Sequence, residues 1–222
     1  MITLKPTTLG YGVQMIGTCE ELHTFYEAIG HCWDPEDESP QSTMLASFSY
    51  DIRHTFMGMR DSLDFHPVTK EKGAFFAMDI TWSMMVTYLA TLRYRMARSV
   101  YDQADLDVIE SFFDSFIVCL KKFAGRYAKD ILPYVEGDAF YVANPYLMQF
   151  WEHLELNFLS AMCFGTKKSG ISGLGKILSV CSYGTFLYND HLQFLKKEAK
   201  RLGCDITELR TARDDRFDVK QM

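Results

Sequence analysis

Apolar residues recur along the chain with two different periods, and the change of period divides it. Near the start, Ile2–Lys5 and Val13–Ile16 alternate apolar and polar positions, with Gly10 and Gly12 between them as turn residues. This predicts two short strands joined by a tight turn. Thr18-x-x-Glu21 then has the spacing of a capping box, in which side chains and backbone satisfy each other's free donors. Leu22, Phe25, Tyr26 and Ile29 follow at helical spacing, and Gly30 is a natural stop. The charged stretch from Asp34 to Pro40 predicts a flexible loop.

Met44, Ala46, Phe48 and Tyr50 alternate with Leu45, Ser47 and Ser49, the pattern of a strand. Ala74–Ile80 predicts another, buried strand that runs directly into a helix with Trp82, Met85, Val86, Leu89 and Met96 on one side. From there the period is helical. Asp102 or Asp105 caps a helix with the stripe Leu106, Ile109, Phe113, Phe116, Leu120 and Phe123. Acids stand near its start and Lys121 and Lys122 near its end, as the helix dipole favours. Asn144-Pro145 opens a helix bearing Leu147, Phe150, Trp151, Leu154 and Phe158. Leu174–Leu202 is a last helical stretch, interrupted at Gly184, and residues after Thr211 form a loose polar tail.

Strands early and helices late predict an α+β fold: a small antiparallel sheet from the N-terminal half packed against a predominantly helical C-terminal half. Four or five strands and four or five helices are expected. A chain of 222 residues accommodates one domain, residues 1–222, with a strand-rich part (1–100), a helical part (101–210) and a tail (211–222).

Charge narrows the partners. Lys plus Arg is 23 and Asp plus Glu is 29, a net charge of −6. Residues 1–90 carry 5 basic and 12 acidic residues, so the acidity is concentrated in the first part. A chain of this balance lacks the basic face that direct nucleic-acid binding needs. Its uncharged stretches, such as the 13 residues Ile80–Leu92, are too short to span a bilayer. The six cysteines form no C-x-x-C pair and stand mostly in apolar surroundings. With no signal peptide, they read as reduced thiols of a cytoplasmic protein.

Three clusters carry residues capable of chemistry. Cys19, His23, His31 and Cys32 are metal-capable side chains in one short segment. Helical geometry points them in different directions, and their spacing matches no familiar zinc site, so no metal is expected. Gly170-Ile-Ser-Gly-Leu-Gly-Lys176 approaches a phosphate loop, but Ile177 stands where magnesium needs a hydroxyl, and a helix precedes the segment. A weaker anion site remains, with Lys167, Lys168 and Lys176 around Gly170, Gly173 and Gly175 as a glycine-rich run into a helix N-terminus. The plainer reading is a soluble helix–helix connection, and it is preferred.

The third cluster is Tyr50-Asp51-Ile52-Arg53-His54, followed by Gly58 and Arg60. Asp51 could orient His54 as a general base, or pair with Arg53 or Arg60. A polar network that fixes the end of a strand explains the same residues, and no nucleophile or metal set accompanies them. Serine-hydrolase, zinc-protease, dinucleotide and calcium-loop signatures are absent from the sequence, and no cofactor is expected.

The run Leu4–Ile16, the helix with Leu22, Tyr26 and Ala28, the segment Tyr50–His54 with Gly58 and Arg60, and Ile80-Thr81-Trp82 together resemble a bacterial family of conserved proteins of unknown function. The resemblance is clear over roughly the first hundred residues and is general in pattern beyond them. It implies a bacterial or phage setting and singles out Asp51, Arg53, His54 and Arg60, but implies no activity. The expected function is binding of a protein partner or of a second copy, without catalysis. The alternative is a small-ligand or anion-binding protein, or an enzyme, built on Asp51, Arg53, His54 and Arg60. A weaker possibility is regulation of nucleic-acid processes through a partner.

Overall fold

A computed structural model describes residues 1–98, 100–137, 139–164 and 167–209, with only the backbone of 164 and 167–169. The tail expected after Thr211 lies outside the described residues. The fold is α+β, with a small four-stranded antiparallel sheet in the N-terminal half and helices in the C-terminal half.

The strands are β1 (Thr3–Pro6), β2 (Gly12–Gly17), β3 (Asp61–Phe65) and β4 (Lys72–Thr81). Their order across the sheet is β1-β2-β4-β3, all antiparallel, which leaves β1 and β3 as edges. The turn between β1 and β2 closes on Thr7, whose hydroxyl accepts from the Gly12 N–H at 3.1 Å, and Gly10 takes the left-handed conformation it needs (φ 76°). Gly12 is also required by crowding, because a Cβ there would fall 2.0 Å from the Ile80 carbonyl oxygen on β4.

Alternation along the strands separates two faces. Val13, Met15, Met78 and Ile80 enter the main core under the helices. Ile16, Phe75 and Ala77 form a small second cluster on the opposite face, with Leu63 against it.

Helix α1 (Cys19–Gly30) starts at the expected capping box, with Thr18 and Glu21 bonding each other's backbone N–H. α2 (Pro40–His54) corrects the strand expected at Met44–Tyr50. Ser39 caps it, Pro40 occupies its first turn, and Met44, Leu45, Phe48 and Ile52 are buried along one stripe. The alternation of Ser47 and Ser49 with larger residues imitated a strand, while the apolar spacing suited a helix equally well. A π-helical turn, Thr55–Met59, follows.

α3 (Trp82–Met96) continues directly from β4, capped by the Thr81 hydroxyl. Trp82 is fully buried, donates to the Gly10 carbonyl at 3.2 Å, and stacks on Phe123 of α4 (Gln103–Ala124). One core thus ties the sheet's first turn to two helices. The remaining helices are α5 (Leu132–Val135), α6 (Leu147–Phe164), α7 (Lys167–Leu178) and α8 (Phe186–Leu202). Asn144 accepts from the Tyr146 N–H at the expected start of α6, and Gly184 (φ 78°) lies in the break before α8.

Candidate functional site

The polar segment singled out in the sequence lies where α2 meets β3. Helical spacing brings Tyr50 and His54 one turn apart. Their ring centroids are 3.9 Å from each other, and the His54 Nδ1 lies 2.9 Å from the Tyr50 carbonyl oxygen. A carbonyl only accepts, so this nitrogen carries the proton. The Arg53 guanidinium stands over the Tyr50 ring at 5.6 Å. Asp51 takes Arg60 as its partner, at 2.5 Å, and Thr55 donates to its carbonyl. Asp51 therefore braces the π turn and is not the group that orients His54.

Gly58 closes that turn with φ 73°, a conformation most side chains resist. The chain then extends through Arg60 into β3. Arg60 lines a cavity of about 580 Å³ together with Tyr11, Met59, Asp61 and Asp79. Of the five candidate residues, Arg60 is the one at this cavity, while Tyr50 and Arg53 are exposed on α2. Tyr11 donates to Asp79 at 2.6 Å, and Gln14 donates to the other oxygen at 2.8 Å. Burial, and then the Asp79 carboxylate, push the Tyr11 phenol well above its ordinary range, so it stays protonated.

Several exposed apolar side chains surround this segment: Tyr50, Met57, Met59, Phe65 and Val68. They lie between residues 50 and 68 in the chain, a stretch that includes β3, whose outer edge has no strand partner among the described residues. No single-residue signal in the sequence marks them as a patch.

The glycine-rich segment is placed differently from the expectation. Gly170, Gly173, Gly175 and Lys176 lie inside α7, which Lys167 and Lys168 begin, so the expected loop is helix. The glycines have packing roles. A Cβ on Gly175 would fall 2.7 Å from the Asp130 carbonyl oxygen, and one on Gly170 would meet the Met162 side chain of α6. Lys176 is exposed. The side chains of Lys167 and Lys168 lie outside the described residues.

The metal-capable set is dispersed. His23 faces Glu27 at 3.6 Å, His31 pairs with Asp105 at 2.7 Å, and Cys32 donates to the Ala28 carbonyl. Cys19 is exposed.

Two polar contacts escaped the sequence reading. Glu155 of α6 receives the hydroxyls of Thr81 and Ser83 at the start of α3. Burial pushes its carboxyl above the ordinary range despite these donors. His153 and His191 stack at 3.9 Å between α6 and α8. Neither could be found from spacing, because each pair is brought together by tertiary packing alone.

From residue 2 to residue 219 the chain matches the family model described as a domain of unknown function, DUF6904. It belongs to that family. The match takes in the sheet, the π turn and every helix, so the site just described lies within the DUF6904 unit. No curated protein and no solved structure matches this DUF6904 chain.

Proposed function

We propose that this DUF6904 protein acts through protein–protein contact without catalysis, and that its partner is a second copy of the chain docked along β3. The observation that carries this reading is the edge of β3, unpaired among the described residues, with exposed Met57, Met59, Phe65 and Val68 in and next to that strand in the chain. An open edge offers backbone donors and acceptors to another strand, and exposed apolar side chains beside it supply buried area.

Charge favours a second copy as the occupant. Antiparallel pairing of two β3 strands about Leu63 sets Asp61 of each against Phe65 of the other. Lys70 lies over that Phe65 ring at 5.7 Å, and Lys72 pairs with Phe65 within the sheet. Each Asp61 thus faces the Phe65 position that Lys70 covers, with Lys72 one strand further in, and each Ser62 faces an Asp64. A stable dimer buries about 800 Å² per copy, more than five strand residues provide, so the methionines must take part. The six cysteines stand as thiols rather than disulfides, which supports a cytoplasmic setting.

Size-exclusion chromatography with light scattering tests this. A dimer is expected at high micromolar concentration. Asp61→Lys should dissociate it, and adding Lys70→Asp and Lys72→Asp to that variant should restore it. A wild-type monomer, or a dimer indifferent to Asp61→Lys, overturns the reading.

A second reading rests on the cavity beside Arg60. A guanidinium set near Asp61, Asp79 and Tyr11 suits a small zwitterion whose carboxylate meets Arg60. Thermal unfolding with millimolar amino acids checks it: a rise in Tm that Arg60→Ala abolishes supports the site, and no rise removes it.

A further inference from the structure

His191 is 5% exposed, and its Nε2 meets no hydrogen-bond partner. The Gln149 backbone favours a proton on the ring, and with that proton on Nδ1 the unpartnered Nε2 is a bare lone pair. Around it are Phe150, edge-on at 4.7 Å, and Phe194 at 5.9 Å. On the α6 side the half-buried His153 ring stacks on it with an interplanar angle of 24°. From this geometry we propose that His153 and His191 form a proton-operated clasp, which holds α8 on α6 when both rings are neutral and releases α8 in mild acid.

The physical reason is local. Two neutral imidazoles stack favourably. A proton added to His191 Nε2 creates a buried N–H with no acceptor, stacked on a second ionisable ring. Lifting α8 gives both rings water. The surrounding titratable groups do not relieve the charge. On α8, Asp190 is exposed, and burial keeps the Tyr188 phenol protonated. On α6, the Glu155 carboxylate is taken by Thr81 and Ser83, and Glu152, adjacent to His153, is not a partner of Nε2. From the 3-10 turn Ser179–Cys181 before α8, the buried Cys181 thiol is pushed far up and stays neutral. From the last turn, Asp205 serves Thr207, and Glu208 serves the Asp205 backbone.

His153 is pushed below the ordinary histidine range by burial, and His191 further, to about 4, by burial and then by His153. A closed form with His191 at about 4 and an open form at 6.5 differ in proton uptake, so acid favours opening. From pH 7.5 to pH 5 the open population should rise about thirtyfold through His191 alone.

Amide hydrogen exchange on the full chain, corrected for the intrinsic rate, tests this. Protection in α8 is expected to fall about thirtyfold more than in α4 over that pH range. His191→Phe, which keeps a flat ring in the stack, should make α8 follow α4. The wild-type imidazole signals provide a measurement that needs no variant: His191 should titrate well below the ordinary 6.5. Equal loss of protection in α8 and α4, or a His191 midpoint at the ordinary 6.5, overturns the clasp.

Discussion

Gly175 of α7 packs directly on the backbone of Asp130. Its missing side chain is what lets the two segments approach, since a Cβ would lie 2.7 Å from the Asp130 carbonyl oxygen and 2.9 Å from its Cβ. Gly173, two residues earlier in the same helix, has open space around it. The pair separates packing from helix propensity. Gly175→Ala should destabilise the protein by about 1–3 kcal/mol, because backbone atoms must shift. Gly173→Ala should stabilise it by up to about 1 kcal/mol. Urea unfolding of both variants measures the difference, and equal effects would contradict the contact.

At Gly58 strain acts without crowding. Its φ of 73° disfavours any side chain, yet a Cβ would meet only the Phe76 ring at 3.7 Å, an ordinary contact. Gly58→Ala should therefore cost about 1 kcal/mol. Gly58→Asn should cost less, since Asn tolerates the left-handed region. Denaturant midpoints for the two variants give the order, and a costlier Asn would point to crowding.

Glu155 gives a pH dependence of defined sign. Its folded carboxyl lies above the ordinary 4.5, so the folded chain holds this proton when the unfolded chain has lost it. The associated stability is fully present below about pH 4.5 and is lost as pH rises through the folded value. Glu155→Gln keeps an acceptor for Thr81 and Ser83 but does not titrate. Relative to wild type, it should be more stable at pH 7 than at pH 4. Chemical unfolding at both values decides, and the opposite order would place the carboxyl below its ordinary range.

The capping box of α1 was fully legible in the sequence and should behave accordingly. Thr18→Ala removes the acceptor for the Glu21 N–H and should cost about 1 kcal/mol. Thr18→Ser should cost little. Thermal melts of the two variants would show an equal loss if the hydroxyl were not the active group.

Patterns that repeat between near neighbours in the chain were readable from residues alone. The β1–β2 pair, α1 with Thr18 and Glu21, the run of β4 into α3, the stripe of α4 and the Asn144 start of α6 all follow from such patterns, and they fix the α+β class. α2 was misread because its serines fitted two periods at once, and burial of Met44, Leu45, Phe48 and Ile52 against the core chose the helix. α7 was misread because glycine is a poor helix former. Contacts of Gly170 and Gly175 with Met162 and Asp130 require glycine there. The tertiary structure alone decided that Asp51 takes Arg60, that Thr81 reaches Glu155 across 74 residues, and that His153 meets His191. Helix and strand periods arise from bonds a few residues apart, whereas these partners meet only after distant elements pack on a common core.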